Sequence, residues 1–290
     1  MHSASNECLR SELDLWLVPP TQTALEASHW LPYKPLTTLD ASNTVEFSIP
    51  GVGHEYIDPA HTLLYVKAKI VKDNGTDITD ANDAAPFNYA LHALWSQVDV
   101  SLNQKVISHS SMTYPYRAYI ETLLNYDSAA KKSHLTQRLW YPDTPGQFAS
   151  MDTAQNAGFA KRHTHTEKSK IFEMMGPLHI DFFNQDHFLI NNVELRIKLI
   201  RNRDAFTLMS TTGAEKIKLL DATLYVRRVT VSPSVMLAHA QALDKAPAKY
   251  PVNRVDIKTV TITQGLRDKN LDNLFMNQMC HHWFRGQSCL

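Results

Sequence analysis

"NVELRIKLIRN", residues 192–202, decides the fold class. Val193, Leu195, Ile197 and Leu199 alternate with Glu194, Arg196 and Lys198, so a strand here has one apolar face and one charged face. A strand of a parallel α/β sheet is covered on both sides and reads as a continuous apolar run. Strict alternation instead marks a half-buried antiparallel strand. "HTLLYVKAKIVK" (61–72) repeats the pattern, with Leu64, Val66, Ala68 and Ile70 on one side and Tyr65, Lys67, Lys69 and Val71 on the other. "TVEFSI" (44–49), "WSQVDVSL" (95–102), "SKIFEMM" (169–175), "KIKLL" (216–220), "ATLYVRRVTV" (222–231) and "RVDIKTVTI" (254–262) read the same way. In 224–231 the apolar phase flips after Val226 to Val229 and Val231, which calls for a bulge near Arg227 and Arg228.

Two stretches leave the β pattern. Tyr116, Tyr119, Ile120, Leu123 and Leu124 recur at helical spacing within 114–132 and predict a short amphipathic helix. Ser232 followed by Pro233 is a helix start, and Pro247 and Pro251 forbid continuation, which leaves a helix over about Val235–Asp244. A helix that hands over to a fresh strand resembles a linker between domains. Many antiparallel strands, long connections at 72–93 and 141–167 and one inserted helix predict an all-β chain, a β-sandwich of the jelly-roll kind. A plain immunoglobulin-like sandwich is the simpler alternative, but it accommodates the inserted helix and long loops less well.

Composition narrows the function classes. Lysine plus arginine equals aspartate plus glutamate at 29 each, so the net charge is zero and no global field draws the chain to nucleic acid or a membrane surface. Three cysteines, Cys8, Cys280 and Cys289, all lie near the ends, so the body does not depend on disulfides, as fits an intracellular protein. No run approaches the length of a membrane span, and residues 1–20 lack a signal-peptide core, so secretion by that route is not expected.

Candidate chemistry is sparse. "GFAKRHTHTEKSKIFEMMG" (158–176) places His163, His165 and Glu167 in a pattern close to the metal motif of cupins, themselves small β-barrels. The two histidines would share one strand face, as ligands of one metal need. A cupin-like metal-binding enzyme is the alternative these residues raise, but Glu167 follows too soon and no second cupin motif appears; two polar residues on a wet strand face are the simpler account. Cys280, His281, His282 and Cys289 offer zinc-type ligands, but the cysteines are too far apart for a usual structural pair, and adjacent histidines on a strand point to opposite sides. No nucleophile elbow or phosphate-cradling glycine loop is present. The basic run Lys161–Lys170 lacks interleaved aromatics, so neither a catalytic residue nor direct nucleic-acid binding is expected. Trp30, Tyr33, Trp140 and Tyr141 sit in proline-rich stretches suited to a loop or subunit-contact surface. They would also serve a jelly-roll binding module, the non-enzymatic alternative.

Longer stretches are more specific. "LDLWLVPPTQTALEASHWLPYKPL" (13–36), "YIDPAHTLLYVKAKI" (56–70), "LWSQVDVSLNQKVIS" (94–108), "YPYRAYIETLLNY" (114–126), "HFLINNVELRIKLIRNRDAF" (187–206) and "LYVRRVTVSPSVMLAHAQAL" (224–243) resemble, in order, the major capsid protein of Maverick/Polinton virus-like DNA transposons. The resemblance runs from about Leu13 to about Gln278. It implies a double jelly roll whose trimers tile an icosahedral shell, with partners that are other capsid subunits, no cofactor, no small-molecule substrate and a place in the virion. The expected organisation is a first jelly roll over 1–232, a helical linker over 233–250, and the first strand of a truncated second roll with an aberrant tail over 251–290. On this reading Cys280, His281, His282 and Cys289 belong to that tail and are not zinc ligands.

Overall fold

The computed structural model describes residues 21–39, 43–78, 84–108 and 112–261, with 265 and 270. Ten strands are present among them: β1 (Leu25–Tyr33), β2 (Thr44–Ile49), β3 (Glu55–Lys72), β4 (Ala84–Pro86), β5 (Trp95–Leu102), β6 (Lys105–Val106), β7 (Phe172–Pro177), β8 (Leu195–Arg201), β9 (Leu208–Ser210) and β10 (Glu215–Val231). One sheet runs β1-β10-β3-β7, the other β2-β8-β5-β6, and β4 pairs with β9 in a separate ribbon. All the pairings are antiparallel.

The order is diagnostic. With the ribbon set aside, the eight remaining strands counted along the chain are arranged 1-8-3-6 in one sheet and 2-7-4-5 in the other. That is the pair of interlocked Greek keys of a jelly roll. An immunoglobulin-type sandwich has a different order and is excluded.

Register shows why the alternation matters. Val45 faces Leu199, which faces Val98; Phe47 faces Ile197, which faces Val100. All six are buried. The intervening row, Glu46–Lys198–Asp99, carries alternating charges on the opposite face. Slipping β8 by one residue would bury Lys198 and expose Ile197, so the register is fixed by burial. The second sheet supplies Leu64, Val66, Ala68 and Ile70 from β3, Leu219, Leu224 and Val226 from β10, and Phe172 and Met174 from β7 to the same core.

The expected irregularity near Arg227 is a break in register, but the extra residues are not in 224–231: β10 pairs Tyr225 with Leu63, then Arg227 with Asp58. Val226 thus stands opposite Pro59, Ala60, His61 and Thr62, and the extra residues bulge out of β3. Beyond the bulge Arg228 is fully buried and donates to the Tyr33 hydroxyl (2.7 and 2.8 Å) and the Pro50 carbonyl (2.6 Å). Segments 216–220 and 222–231, separate in the sequence pattern, form one continuous strand with a register shift between Leu219 and Asp221.

Helices are confined to connections: α1 (Ala90–Ala93), α2 (Tyr114–Asn125), α3 (Ser128–Lys132), α4 (Ala157–Thr166), α5 (Asp204–Thr207) and α6 (Pro233–Leu243), with 3₁₀ turns at His134–Arg138 and Asp181–Asn184 among them. The helix expected before Pro247 is α6, with Pro233 in its first turn and none of its residues buried. A hydrogen bond between the Tyr56 hydroxyl and His239 Nδ1 (2.9 Å) tethers it to the sandwich. Residues 254–261, expected as a strand, carry no strand or helix. A strand needs an edge to pair with, whereas this segment lies against the sandwich through the bond from the Val255 amide to Asp181 Oδ1 (3.2 Å), just after Tyr250 packs on the core.

Candidate functional site: the helical insertion

Between β6 and β7 the chain inserts α2, α3, the 134–138 turn and α4. The predicted amphipathic helix forms, but most of its apolar stripe is not the buried face. Tyr116, Ile120, Leu123 and Leu124 are 43, 39, 46 and 54 % exposed, while Tyr114, Pro115, Ala118 and Thr122 are buried. Of the five expected positions Tyr119 turns inward, half-buried on Trp140 (centroids 5.0 Å), and Tyr116 touches Phe206 (5.8 Å). The inward face is held by hydrogen bonds as much as by apolar contact.

Tyr89 stands at the centre. Its backbone is left-handed (φ 65°) at the start of α1, and its ring packs edge-on to buried Trp140, centroids 5.0 Å apart. Its hydroxyl meets three groups from three elements: Thr122 Oγ1 of α2 (2.9 Å), the Arg138 guanidinium, which donates from Nη1 (3.0 Å), and His179 Nε2 (2.8 Å). His179 Nδ1 reaches Glu121 Oε2 (2.8 Å), and the other oxygen of Glu121 accepts from Arg117 Nε (2.7 Å). Arg117 in turn pairs with Asp181 (2.5 Å). Arg138 crosses β7 directly over Gly176, where a Cβ would collide with its side chain. Small size is therefore required at 176.

Burial raises the Tyr89 phenol above its usual range. Burial alone would raise the Glu121 carboxyl too, but the hydrogen bond from His179 and the charge of Arg117 outweigh it and hold the carboxyl below the usual carboxylate range. The cluster is thus an ionic and hydrogen-bonded tie between the insertion and the sandwich. The enclosed space beside it, lined by Tyr114, Arg117, His179 and Asp181, measures about 30 Å³. Small-molecule sites occupy several hundred Å³, so this one has room for little more than water.

His163 and His165 do not share a strand face. Both lie in α4, where neighbours two apart point to opposite sides, which removes the geometry of the cupin-like pair. His163 stacks on Phe159 (centroids 5.9 Å), His165 on Tyr141 (5.6 Å), and Glu167 caps the end of the helix. A glycine drives the local choice: Gly158 packs so closely on the Tyr141 and Pro142 carbonyls that no side chain fits, and fully buried Arg162 donates to the Pro86 carbonyl (2.7 Å) and pairs with Asp143 (2.7 Å). Among the described residues no three His, Cys, Asp or Glu side chains are grouped to hold a metal. Cys280, His281, His282 and Cys289 lie outside the described residues.

The four aromatics expected on a contact surface separate. Trp30 is exposed on β1, Tyr33 holds Arg228, Trp140 is buried and Tyr141 packs against the core. No helix among the described residues is long and apolar enough to cross a membrane. The Tyr89–His179–Glu121 cluster escaped sequence reasoning because its members come from residues 89 to 179. Glu121 and Thr122 on the polar face of the expected helix were its only local trace.

No family model matches the chain. A curated relative, "Uncharacterized protein F54H12.2" of Caenorhabditis elegans, is 22 % identical over 281 residues, which cover 93 % of this chain and 65 % of that protein. This chain is therefore similar to somewhat under two thirds of that relative. Among solved structures, the Faustovirus major capsid protein aligns with a TM-score of 0.49 at 12 % identity over 80 % of this chain and 58 % of its own length. The Sputnik virophage structure aligns at 0.47 and 11 % over 80 and 53 %, and the mavirus major capsid protein at 0.39 and 11 % over 81 and 54 %. The strand order, not these similarities, carries the fold assignment.

Proposed function

We propose that the chain is a structural, non-enzymatic subunit of a capsid-type shell, related to the Maverick/Polinton major capsid proteins that its sequence resembles. The observation that carries this reading is the jelly-roll strand order joined to an insertion whose apolar helix face points away from its own core. Exposed apolar side chains such as Ile120, Leu123 and Leu124, clustered on a folded domain, mark interaction surfaces, and a shell subunit requires several. In this reading α6 connects the first roll, 1–232, to a second, to which residues 251–290 belong, and the partners are further copies or longer capsid subunits. The place of action is the virion shell.

Light scattering and sedimentation velocity of the purified chain test it. Concentration-dependent association, weakened by Leu123→Asp, is the expected outcome; a chain that stays monomeric throughout the micromolar range sinks the proposal. The trimer of the family is proposed for the assembled shell and not for the chain as given. A monodisperse trimer formed by this chain alone would contradict that part of the reading.

A further inference from the structure

His92 occupies an unusual position. It is fully buried at the last turn of α1, and its Nδ1 meets the Tyr114 hydroxyl of α2 (2.9 Å). Among the described residues no group pairs with its Nε2. Its ring packs on Tyr89 (4.4 Å between centroids) and edge-on to His179 (4.7 Å). The charged or chargeable groups acting on it are His179, from the segment after β7, and the Arg138 guanidinium, from the 134–138 turn; the facing phenols are Tyr89 and Tyr114. The carboxylate of the cluster, Glu121, is turned to His179 and Arg117 instead.

We infer that His92 makes this cluster a proton-operated clamp: with His92 neutral it fastens α2 to the sandwich, and a proton on His92 releases it. An imidazolium here would be a buried cation beside a guanidinium, with no anion in contact. The two groups that repel it are the ones that hold α2, Arg138 through the Tyr89 hydroxyl shared with Thr122 and His179 through Glu121, and its own hydrogen-bond partner, Tyr114, begins α2. Burial first, then His179 and Arg138, disfavour the charged form and push the His92 imidazole well below the usual histidine range.

The sign follows by linkage. A released His92 binds its proton near the ordinary value of about 6.5, whereas the clamped one resists until a lower pH. The clamp is therefore complete above about pH 6.5 and weakens as the pH falls, by up to about tenfold in the opening equilibrium per pH unit. Tyr114, which bonds His92, begins the helix that carries the outward apolar stripe, so release frees that surface from its fixed geometry. The inference concerns the fold alone and stands whether or not the chain builds a shell.

Hydrogen exchange on the intact chain at pH 7.5 and 5.5, corrected for intrinsic rates, tests it. The expected result is a loss of protection of about tenfold over 114–125 with β8 unchanged, and no such loss in His92→Asn, which keeps a polar atom toward Tyr114. Protection over 114–125 that is unchanged, or that falls equally in β8 or in the variant, overturns the inference. Should His92→Asn fail to fold, the NMR titration of the native chain decides: amide signals of 114–125 that shift with the His92 ring at a midpoint below those of the exposed histidines support the clamp, and amide signals that do not follow the His92 ring refute it.

Discussion

β8 and α2 carry equally clear apolar patterns and use them in opposite ways. On β8, Leu195, Ile197 and Leu199 point into the sandwich and are fully buried. On α2, Ile120, Leu123 and Leu124 point out, and the inward face is fastened through Thr122, Glu121 and Arg117. The physical difference lies in the partners. β8 is flanked by β2 and β5, so its backbone polar groups are satisfied whichever face is inward, and burial alone chooses the face. α2 satisfies its backbone internally and is free to rotate; here a preassembled set of donors and acceptors on Tyr89, Arg138 and His179 selects the polar side. An apolar stripe reports that one side wants to leave water, and says nothing of which molecule will cover it.

The contrast is broken most severely in the sheet. Ile197→Ala removes a fully buried side chain between Phe47 and Val100 and is expected to cost about 3 kcal/mol of unfolding free energy in a denaturant titration. A loss under 1 kcal/mol would mean that the two sheets collapse around the gap and that the core is less tightly packed than its burial indicates. Next comes the polar tie: Glu121→Gln keeps shape but withdraws the charge to which His179 and Arg117 are directed, with an expected cost of about 2 kcal/mol at neutral pH. Because the native carboxyl lies below its usual range, the stability it contributes is present above the ordinary glutamate value, about 4.3, and is lost as pH falls. The Gln variant should therefore show a shallower acid limb in a series of melts; a parallel limb would separate Glu121 from the acid response.

How far the sequence reached follows the same division. Residues 44–49, 61–72, 95–102 and 192–202 were legible as strands because a period of two with one wet face has a single physical solution; the phase change in 224–231 marked the place of the register break near Arg227 but not that the extra residues, Pro59–Thr62, belong to β3. The helix over 114–125 was legible as a helix, but its orientation was not, since Tyr89, Arg138 and His179 are far away in sequence. His163 and His165 misled for the converse reason: alternation over a few residues looks like a strand, whereas the close approach of Gly158 to the Pro142 carbonyl and the burial of Arg162 select a helix. Segment 254–261 has the strand pattern without a strand partner, and a pattern cannot form a sheet alone.

The smallest expected effect is the most informative about function. Leu123→Ala on the outward stripe should change the unfolding free energy of the separated chain by less than about 0.5 kcal/mol, because that side chain is 46 % exposed and alanine is the better helix former. The same substitution should weaken association measurably if a second copy covers the stripe, since apolar area that is cheap to lose in the monomer is then lost from an interface. Stability and association thus move independently at Leu123 and together at Ile197, where damage to the fold reaches any interface built on it. If Leu123→Ala instead destabilised the monomer by 2 kcal/mol or more, the stripe would already be covered within the chain, and the outward face of α2 would be part of the core after all.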